Sequence, residues 1–300
     1  MEKIMISVTL KAKSSLIAMA LLLVAGCAQQ QIEQKPVELD SQLTGQGQII
    51  DLQSGQSITP QQLIEQLSQS SRVIVGEKHD NMYHHQIEQW LAQEMHKTRP
   101  QGSVLLEMLQ PDQQKSINSV KAQMQGDPYI RDEKLQSSIK WNSGWPWEQY
   151  GELTKQLLKA PYPLLSANLN KEEVKEAYKN PPVLNGVYST QPVVQELISK
   201  TIETSHDGKL TPEQVEKMTV IQQMRDRRMA KSLLQAPTPA LLFVGGYHAT
   251  RAIGVPLHVQ DLAPDAEFTV LIISEKGNAI DNLHADYVWY TPSVNQAVEK

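Results

Sequence analysis

The sequence predicts an α/β fold with a mainly parallel sheet flanked by helices and a smaller helical insertion domain. Short apolar runs alternate with helical stretches, and most of these runs are continuously apolar, as expected for strands buried on both faces. The long segment between residues 107 and 239 contains one clear strand, so it is predicted to be mostly helical.

Seven apolar runs are predicted to form strands. Along the chain they are QIIDL (48–52), RVIVG (72–76), SVLLE (103–107), YPLLSAN (162–168), PALLFVG (239–245), FTVLIIS (268–274) and ADYVWYT (285–291).

Helical patterns lie between these strands. QQLIEQL follows Thr59 and Pro60, a capping residue and a first-turn proline. HHQIEQWLAQEMHK places Ile87, Leu91 and Met95 on one face, which is expected to pack on the sheet. Strand, helix and strand in succession indicate parallel pairing through right-handed crossovers. The predicted domains are an α/β domain of residues 47–108 and 236–300, with strand 162–168, and a mostly helical insertion of residues 109–235.

The N-terminus has the layout of a secretory signal peptide. Three lysines precede the apolar run SSLIAMALLLVAG, which is shorter than the roughly 20 residues that a membrane-spanning helix needs. The run ends at Cys27, the single cysteine, in a Val-Ala-Gly-Cys sequence similar to a bacterial lipobox. We therefore expect a signal peptide of residues 1–27, an acylated Cys27 as membrane anchor, and a polar, flexible tether of residues 28–46. A signal peptide with an incidental cysteine is the alternative. Ala28, where an aspartate would favour inner-membrane retention, favours the outer membrane of the cell envelope.

Composition excludes several function classes. With Cys27 lipidated, no thiol remains for a disulfide, a cysteine metal site or a nucleophile. The net charge of −5, without a basic cluster in the sequence, argues against nucleic acid as a partner.

Polar side chains follow several predicted strands. Glu77 and His79 end the second strand, Glu107 ends the third, and His248 and Arg251 follow the fifth. Ligand sites of open α/β sheets form at the carboxyl ends of strands, so these five side chains are predicted to converge in one pocket. A carboxylate that closes an apolar strand, such as Glu107, is costly to bury without a partner. Satisfying loop amides is the simpler role for Glu77 alone.

The segment WNSGWPWEQY, residues 141–150, holds three of the five tryptophans. We interpret it as a cluster that docks helices. A flat apolar wall for a planar ligand is the alternative.

Several motifs together resemble the ChaN family of haem-binding lipoproteins, part of a Tiki-like superfamily. They are GEKHDNMYHH, LLEML, GWPWEQY, SANL, MTVIQQMRDRRMAKSLL and GGYHATRAIGVPL, and the similarity spans roughly residues 48–290. The resemblance implies an α/β domain with a small helical domain and a role in haem or iron uptake. It also implies a homodimer that holds stacked haems at its interface, with a tyrosine-type iron ligand and His or Lys groups on the propionates.

Haem chemistry narrows the candidate ligands. Ferric haem accepts phenolate, imidazole or thiolate, and thiolate is excluded here. The iron-ligand candidates are Tyr83, Tyr247 and His206, where Tyr247 replaces the small glycine usual before the loop histidine. The candidates for the propionates, which pair with cationic groups, are Lys78, His84, Lys209 and Arg251.

A metal-dependent hydrolase is the alternative function. It would use His79, His248 and Glu107 as metal ligands, with Glu77 or Glu107 as general base. The sequence lacks a compact HExxH-type spacing, so we favour a non-enzymatic haem-binding protein, with haem-uptake machinery as its partner. A purely structural envelope lipoprotein would leave the clustered acids and histidines unexplained.

Overall fold

The computed structural model describes residues 36–293. The predicted signal peptide, the lipidation site Cys27 and the predicted tether up to residue 35 lie outside the described residues. Within the described part, no helix combines the length and the apolar character needed to cross a membrane.

The described residues form a sheet of eight strands in the order β2-β1-β8-β7-β3-β6-β4-β5. The six strands from β8 to β5 are all parallel, and β1 and β2 add an antiparallel edge. The prediction of a mainly parallel sheet is confirmed. The strands are β1 (Gln48–Asp51), β2 (Ser57–Ile58), β3 (Arg72–Glu77), β4 (Ser103–Leu106), β5 (Leu164–Ser166), β6 (Ala240–Gly245), β7 (Thr269–Glu275) and β8 (Tyr287–Thr291).

Eleven α-helices accompany this sheet in the described range, with a short 3-10 helix at Pro111–Gln113. Thr59 and Thr211 cap α2 and α9 in reciprocal capping boxes, which fixes where these helices begin. The helices are α1 (Ser41–Gln46), α2 (Pro60–Leu67), α3 (Met82–Thr98), α4 (Gln114–Gly126), α5 (Asp132–Ser138), α6 (Trp147–Lys159), α7 (Lys171–Lys179), α8 (Pro192–Ser205), α9 (Pro212–Gln235), α10 (Gly246–Ala249) and α11 (Val255–Leu262).

Helices cover both faces of the central strands. In β3, Val73 and Val75 belong to a core with α2, α3, α4 and α6, whereas Ile74 belongs to a second core with α9 and α11. Successive residues of a strand point to opposite faces, so a strand covered on both sides must be apolar throughout. This is why the central strands are recognisable as unbroken apolar runs.

The order of the strands reverses beside β3. The chain moves from β3 outward to β4 and β5, returns through β6, and then adds β7 and β8 on the opposite side of β3. Such a reversal opens a crevice at the carboxyl ends of the neighbouring strands, where ligands bind in open α/β sheets.

The last residues of the predicted tether (residues 28–46) belong to the folded domain. Leu43 in α1 is buried in the core, and the Val37 N–H donates to Gln93 Oε1 at 2.7 Å. The Asp40 N–H donates to Gln86 Oε1 at 2.9 Å, so this stretch packs along α3. The Gln-rich sequence does not reveal this packing, because a single buried leucine does not produce a periodic apolar pattern.

Candidate functional site

The carboxyl ends of β3, β4 and β6 bring four of the predicted site residues together, namely Glu77, His79, Glu107 and His248. Glu77 ends β3 and lies beside Gly245, the last residue of β6. Glu107 directly follows β4, and its Oε2 accepts the Gly245 N–H at 2.8 Å. His248 lies in the short helix α10 that begins immediately after β6.

His248 lies between two buried carboxylates. Its Nδ1 is 2.7 Å from Asp226 Oδ1 and its Nε2 is 3.5 Å from Glu107 Oε1. Burial alone would lower the pKa of His248, but the charges of Glu107 and Asp226 outweigh it and raise that pKa to about 9. An imidazolium between two carboxylates is therefore the form expected at neutral pH.

The two carboxylates respond differently to the same burial. Burial raises the pKa of Asp226 to about 6, against the opposing effect of His248. Burial also disfavours the charged form of Glu107, but the His248 and His79 charges and the Gly245 N–H together lower its pKa.

His79 is the open member of the cluster, since 43% of its side chain is exposed. Its Nδ1 contacts Glu77 Oε1, and the Tyr150 hydroxyl donates to the same Glu77 oxygen at 3.2 Å. Burial disfavours the His79 cation, yet the Glu77 hydrogen bond and charge raise the pKa of His79 overall. Trp145 packs edge-on against the imidazole with ring centroids 4.9 Å apart.

A second histidine and carboxylate pair lies beneath the first. His85 Nδ1 is 3.1 Å from Glu88 Oε2, and its Nε2–H donates to the His79 backbone oxygen at 3.1 Å. Burial raises the pKa of Glu88 to about 7. The Tyr150 ring packs on His85 at 4.5 Å, so Tyr150 joins the two pairs. Sequence reasoning misses Glu88, because an acid inside a helical pattern is normally solvated.

A cavity of about 650 Å³ opens beside this cluster. Its polar side includes Glu77, His79, Asp226 and His248. Its apolar wall is contributed by α8, α9, β7 and two loops, mainly by Ile198, Ile202, Met218, Ile272, Ile253 and Ile280. The volume lies within the range of about 300–1,000 Å³ typical of small-molecule sites.

Two of the three predicted iron ligands line this cavity. Tyr247 is 66% exposed at its wall. His206 follows α8, and its Nδ1–H donates a hydrogen bond to Ile202 O at 2.8 Å. The lone pair of Nε2 is therefore available to coordinate iron. Tyr83 instead is 7% exposed in the core and is absent from the cavity wall. The prediction of Tyr83 at the pocket is wrong, because α3 begins with this side chain turned into the core.

Of the four predicted propionate partners, Lys78 is well placed. It lines the cavity, half-exposed, with its Nζ 3.2 Å from Glu275 and 3.4 Å from Asp80. Lys209 is exposed, pairs with Asp207 at 3.0 Å and does not line the cavity.

His84 is a structural residue. Its Nδ1 accepts the Lys78 N–H at 2.9 Å, and its Nε2 lies 3.1 Å from Thr291 Oγ1. Burial lowers the pKa of His84 to about 3, so the ring is neutral. Both nitrogens are engaged within the protein, which contradicts a role in binding propionate.

Arg251 does not join the predicted cluster. Its guanidinium binds Asp286 Oδ2 at 2.6 Å and stacks over Phe268, away from the cavity wall. The loop after α10 turns Arg251 toward β8, where it ties the chain to the sheet.

The alternative metal centre is not formed. Within residues 36–293, no group of three or more His, Cys, Asp or Glu side chains has the geometry to hold a metal ion. His79, His248 and Glu107 lie close together but do not form such a group, and the Nδ1 atom of His248 is engaged by Asp226.

The tryptophan-rich segment contributes to both the helical packing and the site. Trp141 packs on Trp147 at 5.1 Å, which docks α6. Trp145 packs on Tyr150 at 5.6 Å, and both touch the His79 pair. Composition alone reveals the aromatic character of this segment but not its position at the site.

Comparison with known proteins places this chain in a family. The family described as haem-binding uptake, Tiki superfamily, ChaN matches residues 63–259. The chain belongs to the ChaN family. No curated protein gave a match.

Among solved structures, one that is described as cofacial haem binding to ChaN of Campylobacter jejuni superposes on this chain. The TM-score is 0.76 and the sequence identity is 27%. The match covers 82% of this chain and 97% of that protein. The predicted family resemblance and the α/β fold are both confirmed.

Two other solved structures are more remote. The type III effector HopBA1 has a TM-score of 0.41 at 10% identity, covering 77% of this chain and 92% of that one. A mutant of the erythromycin esterase EreC in its open conformation has a TM-score of 0.43 at 9% identity, covering 72% and 73%. Scores this low carry no functional argument.

Proposed function

We propose that this ChaN-family chain binds haem for uptake or storage in the bacterial cell envelope, anchored to the outer membrane through lipidated Cys27. The family and the cofacial haem binding of the Campylobacter jejuni relative support haem as the ligand. The lipobox-like sequence supports the anchor.

The observation that carries the proposal is a single cavity that joins an apolar wall to two possible iron ligands. A porphyrin needs a broad apolar surface and an axial donor. The isoleucines of α8 supply the surface, and Tyr247 and His206, which line the same cavity, supply a phenol and an imidazole. The residues present therefore fit haem.

We assign Tyr247 as the main axial ligand and His206 as the second donor. Ferric haem binds phenolate and imidazole alike. His206 is held by a hydrogen bond from Nδ1 to Ile202 O, an arrangement that fixes the tautomer of ligating histidines. Lys78, which lines the same cavity, is the cation for a propionate.

A homodimer with haem at its interface is part of the proposal. Tyr247 is largely exposed, so a haem bound there would leave one face open. Val193 and Leu197 lie on α8 next to the cavity-lining residues of that helix and are 55% and 43% exposed. A second copy across the cavity mouth would cover both the haem and these side chains.

Titration with haemin tests the proposal. Protein made without residues 1–27 should give a saturable Soret shift near one haem per chain, and sedimentation should show haem-dependent dimers. A featureless, non-saturating titration would refute haem binding. A saturable shift in a strictly monomeric protein would refute only the dimer.

A further inference from the structure

A second cavity, of about 600 Å³, carries an unusual charge pattern. Four cationic side chains line it, and no aspartate or glutamate of the described residues is part of its wall. This concentration occurs in a chain whose net charge is −5. The cationic residues are Lys171, Lys175, Lys179 and Arg225.

Three of these cations come from one face of α7. Residues 171, 174, 175, 178 and 179 have the spacing of a stripe that usually packs against a core. In α7 the packing is done by another face, where Ala177 is buried and Glu173 pairs with Arg228 at 2.5 Å. The stripe therefore faces the cavity with its lysines, Val174 and Tyr178.

Within the part of the chain that the structure describes, these four cations have no ion-pair partner. Of the three α7 glutamates, Glu173 is engaged by Arg228 and Glu176 accepts a hydrogen bond from Asn180, and none of the three lines this cavity. The Nε atom of Arg225 is buried without a hydrogen-bond partner. Four like charges on one cavity wall repel one another, so an anion bound in the cavity would relieve the repulsion.

We propose that this cavity binds a small organic anion carrying two or three carboxylate or phosphate groups. Lysine ammoniums act as mobile point charges, and the arginine fork can hold one anionic group in two hydrogen bonds. Lys171 to Lys179 span about 12 Å of helix, enough for several anionic groups. Trp145 and Leu169 give the organic body an apolar contact, which a bare inorganic ion would not use.

The cavity adjoins the histidine and carboxylate cluster. Trp145 lines it and contacts His79, and Arg225 precedes Asp226 on α9. The Arg225 charge also opposes the rise in the pKa of His248 and contributes to the lowered pKa of Glu107. An anion that neutralises Arg225 would therefore change the pKa of both residues in that cluster.

Calorimetric titration of the full chain in detergent with citrate and with fructose 1,6-bisphosphate tests this site. We expect saturable binding of at least one of them, weakened at least about tenfold by Lys175→Ala with Lys179→Ala and by Arg225→Gln. Binding of citrate alone identifies a carboxylate ligand, and binding of fructose 1,6-bisphosphate alone identifies a phosphate ligand. Added salt should weaken either interaction, because the lysines are exposed.

The matched control is Lys134→Ala with Lys200→Ala, two exposed lysines outside the cavity wall. This variant should bind within twofold of the parent chain. The proposal is overturned if neither anion binds saturably, or if the control loses as much affinity as the cavity variants. Circular dichroism melts of all variants distinguish lost binding from lost folding. Haemin titration is independent of both outcomes.

Discussion

His248 Nδ1 lies 2.7 Å from Asp226 Oδ1, although the two residues are 22 positions apart and belong to different elements. Asp226 comes from the middle of the long helix α9, and His248 comes from the short helix after β6. Because Glu107 approaches the other ring nitrogen, the imidazolium joins α9 to two adjacent strands of the sheet.

Asp226→Asn should destabilise the fold. The substitution leaves His248 buried with one carboxylate in place of two, and breaking a buried ion pair typically costs about 3 kcal/mol. Urea unfolding at pH 7 measures the loss. Asp281→Asn, which removes an exposed carboxylate 2.6 Å from His284, is the control and should change stability little. Equal losses in both variants would contradict the proposed importance of burial.

Stability should fall on the alkaline side because of His248. Its pKa in the folded state, about 9, lies above its ordinary value of 6.5. The stabilisation is therefore fully present below about pH 6.5 and is lost as pH rises through about 9. Urea unfolding from pH 6 to 10 should show this decline, and His248→Gln should flatten it. An identical slope in the variant would assign the decline to other groups.

Gly245→Ala should disrupt the site, because a Cβ at this position would lie 2.8 Å from the His79 ring. The imidazole or β6 must move, at a cost of about 1–3 kcal/mol for overpacking. Nuclear magnetic resonance of the His79 ring should show the displacement, and urea unfolding should show the loss. Gly126→Ala is the matched control, since its Cβ would meet nothing within 4 Å. A Gly245→Ala protein as stable as the parent, with an unchanged His79 signal, would show that the crowding is easily relieved.

Much of the fold can be predicted from the sequence because the central strands are buried on both faces. Val73, Ile74 and Val75 must all be apolar when helices cover both sides of β3, and that makes an unbroken run. The carboxyl-end rule then locates Glu77 and Glu107, since it depends on strand direction alone. Edge strand β2 has two residues, too short to leave a pattern.

Outside the strands, the direction in which a side chain points cannot be predicted from the sequence in the same way. Tyr83 and His84 lie in the first turn of α3, where a small rotation of the helix decides between core and cavity. Arg251 lies in a loop whose course is set by its bond to Asp286, 35 residues later. Asp226 lies within an amphipathic helix, and no local pattern distinguishes a buried acid there from a solvated one.

Lys121→Met should destabilise the end of α6. The Lys121 ammonium donates to Leu157 O at 2.8 Å, Leu158 O at 3.2 Å and Ala160 O at 2.5 Å, so it satisfies carbonyls at the helix C-terminus. Methionine keeps the apolar stem but leaves these acceptors unpaired, a loss of about 2 kcal/mol. Thermal unfolding measures the effect, and Lys134→Met, at an exposed lysine, should be nearly neutral. A similar melting temperature for both variants would show that water replaces the ammonium without loss.

Tyr247→Phe should change the haemin spectrum and weaken haemin binding at least about tenfold, because it removes the phenol oxygen from the exposed side of the cavity. His206→Ala should have a smaller effect, since this imidazole is the second donor in the proposed arrangement. Tyr188→Phe removes a phenol that is 45% exposed but outside the cavity wall, so it controls for nonspecific contact with haemin. If His206→Ala alters the Soret band and Tyr247→Phe does not, the imidazole is the main iron ligand. If both variants titrate like the parent chain, the iron is bound outside this cavity.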